Sequence, residues 1–201
     1  SGVGNITVAS VAGPVSGTAA NVTFSNSGTV TVTGAITTNI GTLWLNKTSG
    51  AVSFAGSLQA TQFKTDTNAA YNISLTGASN TIASFSQATA FATSGTLTIG
   101  DEATDSFTYS GGAFGPTSPS AISLAGSIIT SSTTAGAGSV TLGDANTTLA
   151  ITTNLTINTS ASNGNITIAN TIAGGGKALT LDAGTGTINI TSALSNMGNL
   201  S

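Results

Sequence analysis

The sequence predicts an all-β fold, a right-handed parallel β-helix (β-solenoid) of roughly nine coils of about 23 residues each, in a single domain over 1–201. Three observations predict it. The chain is rich in Val, Ile and Thr, one short strand phrase returns at a near-constant step, and turn residues are confined to the stretches between phrases. β-Branched residues are stiff at χ1 and fit a pleated surface, so the local preference is for strand almost throughout, with very little helix.

The phrase is a small or polar residue followed by apolar, polar, apolar. It occurs as Asn5-Ile6-Thr7-Val8, Thr29-Val30-Thr31-Val32, Ala51-Val52-Ser53-Phe54, Asn72-Ile73-Ser74-Leu75 and Thr96-Leu97-Thr98-Ile99. It continues as Ala121-Ile122-Ser123-Leu124, Ser139-Val140-Thr141-Leu142, Asn165-Ile166-Thr167-Ile168 and Thr187-Ile188-Asn189-Ile190. Between the central polar residues the steps are 24, 22, 21, 24, 25, 18, 26 and 22. Such a spread suits a solenoid whose corners vary in length while its strands stay in register.

A second phrase falls between many copies of the first: Val22-Thr23-Phe24, Leu43-Trp44-Leu45, Phe107-Thr108-Tyr109, Leu155-Thr156-Ile157 and Leu179-Thr180-Leu181. Each coil therefore holds at least two strands and room for a short third, joined by Gly, Asn and Ser turns such as Ser162-Asn163-Gly164. Pro14, Pro116 and Pro119 lie outside the phrases, where a missing N–H does no harm to a ladder.

Alternation gives each strand an apolar face and a hydroxyl face: in Ile6-Thr7-Val8 the two apolar residues point one way and Thr the other. Stacking coils at about 4.8 Å pairs the backbone groups and buries a continuous apolar column, and nine such rungs make a rod roughly 40 Å long. The least regular stretch is 100–120, with Asp101, Glu102 and Asp105 before Phe107, Tyr109 and Phe114, and an excursion from the rod is expected there. Greek-key sandwiches also contain many short alternating strands, but they have no reason to repeat one phrase at a steady step.

Composition narrows the function. Charged residues are 4% of the chain, three Lys or Arg against six Asp or Glu, with a net charge of −3. Nothing resembles the basic footprint that nucleic acid requires, and no stretch approaches the roughly 18 apolar residues that span a bilayer. With no Cys, neither a disulfide framework nor a thiolate metal site is expected. Residues 1–4 lack the basic and apolar regions of a leader, so an exported form corresponds to a mature product or an excised piece.

The stretches Ser162-Asn163-Gly164-Asn165-Ile166-Thr167-Ile168 and Lys177-Ala178-Leu179-Thr180-Leu181-Asp182-Ala183-Gly184-Thr185-Gly186-Thr187-Ile188-Asn189-Ile190 resemble filamentous-haemagglutinin-type repeats, the shafts of two-partner-secretion and autotransporter-like exoproteins. The resemblance covers most of the chain, clearest over 135–201 and loosest over 100–120. It implies a right-handed β-helix, export from a Gram-negative-type cell, and a part in adhesion, biofilm matrix or surface coating. The family's amino-terminal secretion domain carries Asn-Pro motifs; no Asn-Pro occurs here, so the likeness is to the shaft. The Gly-Gly-x-Gly-x-Asp phrase of calcium-binding nonapeptide repeats is also missing, and Gly174-Gly175-Gly176-Lys177 is a Gly-rich corner.

Catalysis on such a scaffold needs carboxylates clustered with Arg, Lys or His. This chain has no His and no Arg, and Lys47, Lys64 and Lys177 belong to different coils, so an enzyme is not expected and no cofactor is implied. Asp101, Glu102 and Asp105 form the one concentration of charge, a weak candidate for Ca²⁺ that reads more simply as a solvated loop. An outward array of Thr29, Thr31 and Thr33 could order water or ice, although equivalent positions elsewhere hold Ser, Asn or Ala.

Asn-x-Ser/Thr sequons occur at Asn5, Asn21, Asn46, Asn72, Asn146, Asn154, Asn158, Asn165, Asn189 and Asn199. They could accept sugar, but Asn at turns beside Thr in strands generates the same tripeptide by composition alone. The aromatics Phe24, Trp44, Phe54, Tyr71, Phe85 and Phe91 are assigned chiefly to filling the interior or bracing corners, with glycan stacking open to any that is exposed.

The expectation is a structural or adhesive segment of a large exported surface protein, located outside the cell. Its partners are neighbouring coils or like subunits, and host or matrix glycans. The alternatives are a self-assembling filament subunit, since 4–8 and 188–201 show no polar cap, and an ice- or glycan-binding module.

Overall fold

The computed structural model describes residues 4–25, 28–37, 39–67 and 69–201; residues 1–3, read above for a leader, lie outside it. The described chain contains no helix and winds into a β-solenoid of about nine turns, about 22 residues apart. The first coil carries β1 (Ile6–Val8), β2 (Val11–Ala12) and β3 (Ala20–Ser25), and the second β4 (Thr29–Val32), β5 (Ile36–Thr37) and β6 (Ile40–Asn46). The third holds β7 (Ala51–Phe54) and β8 (Leu58–Thr65), the fourth β9 (Asn72–Leu75) and β10 (Ser79–Phe85), and the fifth β11 (Thr96–Ile99) and β12 (Ser106–Tyr109). Then come β13 (Ala121–Thr130) with β14 (Val140–Leu142), and β15 (Thr148–Asn158) with β16 (Ile166–Ile168). The last two coils hold β17 (Ile172–Ala173), β18 (Ala178–Asp182) and β19 (Ile188–Ile190), then β20 (Leu194–Ser195) and β21 (Asn199–Leu200).

Every pairing between these strands is parallel, which removes the antiparallel sandwich. One face stacks β1, β4, β7, β9, β11, the starts of β13 and β15, β17 and β20. Its inward ladder runs Ile6, Val30, Val52, Ile73, Leu97, Ile122, Leu149, Ile172, Leu194. The seven inner members are at most 1% exposed, so the apolar column is dry along its length. A second face stacks β2, β5, the starts of β8 and β10, β12, the ends of β13 and β15, β18 and β21. The amino half closes with β3, β6 and the ends of β8 and β10, whereas the carboxyl half closes with a separate sheet of β14, β16 and β19, bridged from Phe114 to Val140.

This corrects the reading of nine phrases as nine equivalent strands. Six lie on the first face; the copies centred on Thr141, Thr167 and Asn189 form the separate closing sheet. In the last three coils the first face is carried instead by Leu149-Ala150-Ile151, Ile172-Ala173 and Leu194-Ser195. The short 18-residue step from Ser123 to Thr141 is the switch from one face to another. Alternation specifies only a strand with one side in and one side out, a condition that any face of the coil satisfies.

Within 100–120 the regular structure is β12. β12 lies between β10 and β13 with Phe107 opposite Asn80 and Ile128, and irregular backbone is confined to the corners on either side. Phe107 and Tyr109 are buried with Phe114 in a ring cluster that also takes in Phe63, Phe85 and Phe91, with neighbouring centroids 4.9–6.3 Å apart. Phe91 reaches this cluster from a corner at φ 52°, a left-handed conformation that bulky residues rarely take. Polar groups inside the coil are matched as they are buried: among the described residues no buried side-chain nitrogen or oxygen lacks a hydrogen-bond partner. Tyr71 is one such group, donating to the Leu45 carbonyl at 3.3 Å, and burial pushes its phenol well above the usual tyrosine range.

Candidate functional site

Outward residues of β3, β6 and β8 meet on the amino half of the rod. The register sets Thr23, Trp44 and Lys64 in one ladder across three successive coils, with Thr42 opposite Gln62 in the next row. Together with Asn21 they line an open cleft of about 380 Å³. Trp44 stands outward because it is the middle residue of Leu43-Trp44-Leu45, whose two leucines are fully buried.

The indole is held at two points. Its Nε1–H donates to Asp66 Oδ1 at 3.1 Å, and the Lys64 ammonium lies 3.9 Å from the ring centroid, a cation–π contact. Thr42 ties the neighbouring amides together, donating from its backbone N–H to Asn21 Oδ1 at 2.9 Å and from its hydroxyl to Gln62 Oε1 at 3.2 Å. The arrangement can offer an aromatic platform and fixed neutral hydrogen-bonding groups to a ligand.

The other residues singled out by sequence are dispersed. Phe24, Phe54, Tyr71 and Phe91 fill the interior, and the two half-buried rings of the six are Phe85, packed against the core, and Trp44, which faces the cleft. The three lysines are separate: Lys64 faces the cleft, Lys177 is exposed at a corner, and Lys47 is buried with its ammonium 3.3 Å from the Gly28 carbonyl. Burial pushes Lys47 below the ordinary lysine value.

Asp101, Glu102 and Asp105 share one tight corner, where Asp105 turns inward, 5% exposed, and its Oδ2 accepts the Asp101 and Glu102 N–H groups at 2.9 and 3.0 Å. Its carboxylate acts as a cap for the loop, and burial beside Asp105 and Glu102 raises the Asp101 carboxyl above its ordinary value. Among the described residues no three His, Cys, Asp or Glu side chains are grouped to hold a metal ion. Asp105→Ala is expected to cost about 1.5–3 kcal/mol, the worth of hydrogen bonds to a charged group, read by urea denaturation. A loss below about 0.5 kcal/mol would leave the loop without this cap.

Thr29 and Thr31 do belong to an outward row, and Thr33 continues it past the strand. Thr31 stacks on Thr7, Ser53, Ser74, Thr98 and Ser123, a hydroxyl ladder that Ala150 interrupts.

The sequon asparagines show a use that sequence reasoning missed. Asn5, Asn21, Asn72, Asn154 and Asn165 each accept, through Oδ1 at 2.8–3.0 Å, a backbone N–H of the next coil: those of Thr29, Thr42, Thr96, Ala178 and Thr187. Each amide thereby latches two coils together. Asn46, Asn146 and Asn158 make other contacts, to Ser25, Asp144 and Ser160, and Asn189 and Asn199 lie exposed on the last strands of their sheets. The signal was available in Asn placed directly before the first inward residue of a phrase, as in Asn5-Ile6 and Asn72-Ile73.

The stacked parallel coils define the chain as a β-solenoid repeat protein. No protein-family model matches it, and neither a curated protein nor a solved structure does.

Proposed function

We propose that the chain is a structural and adhesive β-solenoid segment of a large exported bacterial surface protein, of the filamentous-haemagglutinin-like kind, working outside the cell by extension and cohesion. The observation that carries this reading is the ladder from Ile6 to Leu194, in which each coil stacks its inward apolar residue on those of the coils above and below. Such a column transmits load along its axis through parallel backbone hydrogen bonds. Its outward rows of Thr, Ser and Asn keep the rod hydrated with little charge. The resemblance of 162–168 and 177–190 to shaft repeats points the same way. The reading assigns the chain no chemical reaction, no nucleic acid and no cofactor; no helix of the described residues is long and apolar enough to cross a membrane.

A second reading is a self-assembling filament subunit, in which Ile188 and Leu200 on the last strands, 43% and 51% exposed, would pack against a further rung. Unpaired strand edges with apolar side chains can accept a further parallel rung.

Negative-stain microscopy of the purified chain separates the two. Monodisperse rods roughly 40 Å long, the stack of nine rungs, are the result expected for a shaft segment. Long uniform fibres that disappear in an Ile188→Lys, Leu200→Lys double variant would replace it with the filament reading. Compact or irregular particles would overturn both.

A further inference from the structure

We propose that the cleft around Trp44 is a binding site for neutral saccharides. The proposal goes beyond the shaft reading, and a rod that binds no sugar would leave that reading intact.

Trp44 is the chain's one tryptophan, and it occupies an outward row whose neighbours in register are Thr23 and Lys64. The interior gains nothing from a ring placed there, since Leu43 and Leu45 already fill the inward positions at 0% exposure. Yet the indole is immobilised, by Asp66 at its edge and by the Lys64 ammonium at its ring. Lys64 belongs to the coil after Trp44 and Thr23 to the coil before it. The part of the ring not covered by the ammonium therefore borders the rung of Thr23 and Asn21.

A rigid aromatic surface offers contact area at low entropic cost, because its orientation is set before the ligand arrives. Apart from Lys64 and Asp66, the groups around it are neutral. Asn21 and Gln62 each have the amide oxygen engaged by Thr42, which leaves their NH₂ groups as donors, and the Thr23 hydroxyl lies in the same row as the ring. These groups repeat at rung spacing, about 4.8 Å, comparable with the length of one sugar ring.

A pyranose has the complementary chemistry: a flat C–H face for the indole and a rim of hydroxyls for amides and threonines. Charge selects the class further. The cation at the cleft is engaged on the ring and the carboxylate on the indole N–H, so the site supplies no uncommitted charge cluster for a sulfated or phosphorylated ligand.

Because Trp44 is the only tryptophan, indole fluorescence reads the site directly. The full chain is titrated with cellohexaose, xylohexaose, mannohexaose and chitohexaose, and with a heparin hexasaccharide and decaproline as the charged and peptide alternatives. At least one neutral hexasaccharide is expected to change the emission saturably in the millimolar range or below. Calorimetry with that sugar should then show at least a tenfold loss of affinity in Trp44→Ala and a several-fold loss in Gln62→Ala, with both variants keeping the far-ultraviolet circular dichroism of the parent. Silence with all four neutral sugars overturns the proposal. So does equal affinity in the Trp44→Ala variant, or a response to heparin or decaproline in place of the neutral sugars.

Discussion

Replacing Phe63 with Ala is expected to lower stability by about 3–5 kcal/mol, the usual cost of emptying a buried aromatic site. Phe63 is 0% exposed and lies at the junction of the rod's ring contacts, 6.3 Å from Phe54, 6.0 Å from Phe85 and 5.4 Å from Phe91 between centroids. Its backbone is held between Leu43 and Phe85 in the ladder, so the coil cannot close over the void. In a stacked array each coil contacts only its neighbours, and the damage should concentrate in coils two to five. Hydrogen exchange supplies the check: amides of β6, β8, β10 and β12 should lose protection together while those of β16 and β19 keep theirs. A loss under about 1 kcal/mol, or uniform deprotection, would show that the ring cluster is not the packed core of the amino half.

Gly56→Ala is expected to cost at least about 3 kcal/mol, at the upper end of overpacking effects, because the obstruction is main chain and not a movable side chain. Gly34, Gly56 and Gly77 occupy equivalent corners of three successive coils. A methyl group on Gly56 would overlap the carbonyl carbon and oxygen of Gly34, and one on Gly77 would overlap those of Gly56. Neither backbone can retreat, since the strands flanking each corner are pinned on both sides by their ladders. Gly115→Ala is the matched control: nothing lies within 4 Å of the added carbon and its φ is not left-handed, so the change should fall within about 0.5 kcal/mol of the parent. Thermal unfolding of the two variants side by side tests the claim, and equal midpoints would mean that the corner glycines serve only as turns.

Much of the architecture was legible in the sequence because alternation at period two is a property of single strands. Ile6-Thr7-Val8 or Leu97-Thr98-Ile99 announces its inward pair without knowledge of any neighbour, and the near-regular step announces the stack. Assignment to a face was not legible. Val140-Thr141-Leu142 has the same pattern as Ile122-Ser123-Leu124, and only the pairing of β14 with β16, against β13 with β15, tells the two apart. The close approach at Gly34, Gly56 and Gly77 was hidden for a related reason: in one dimension a glycine that admits another backbone looks the same as a glycine that allows a bend.

The aromatic residues divide along the same line. Phe24, Phe54 and Phe91, whose size predicts the interior or a corner, are inside. For Trp44 size predicts the interior or a corner, with glycan stacking open only if the ring is exposed, whereas its position between two leucines puts it on the outer side, and parity decides the structure. The acidic corner was visible as a run of charge, but a run cannot show that Asp105 folds back to cap the N–H groups ahead of it.

The asparagine latches carry a consequence for how the rod is made. Since one phrase fits any face, the strands alone permit an arriving segment to dock one face out of step, burying as much apolar surface in the wrong place. The amides of Asn5, Asn21, Asn72, Asn154 and Asn165 work against that degeneracy, because each presents its oxygen to a backbone N–H of the correctly threaded next coil. The latches hold three of the junctions between coils, first to second, fourth to fifth and seventh to eighth, and there an amide sets the register together with the strands.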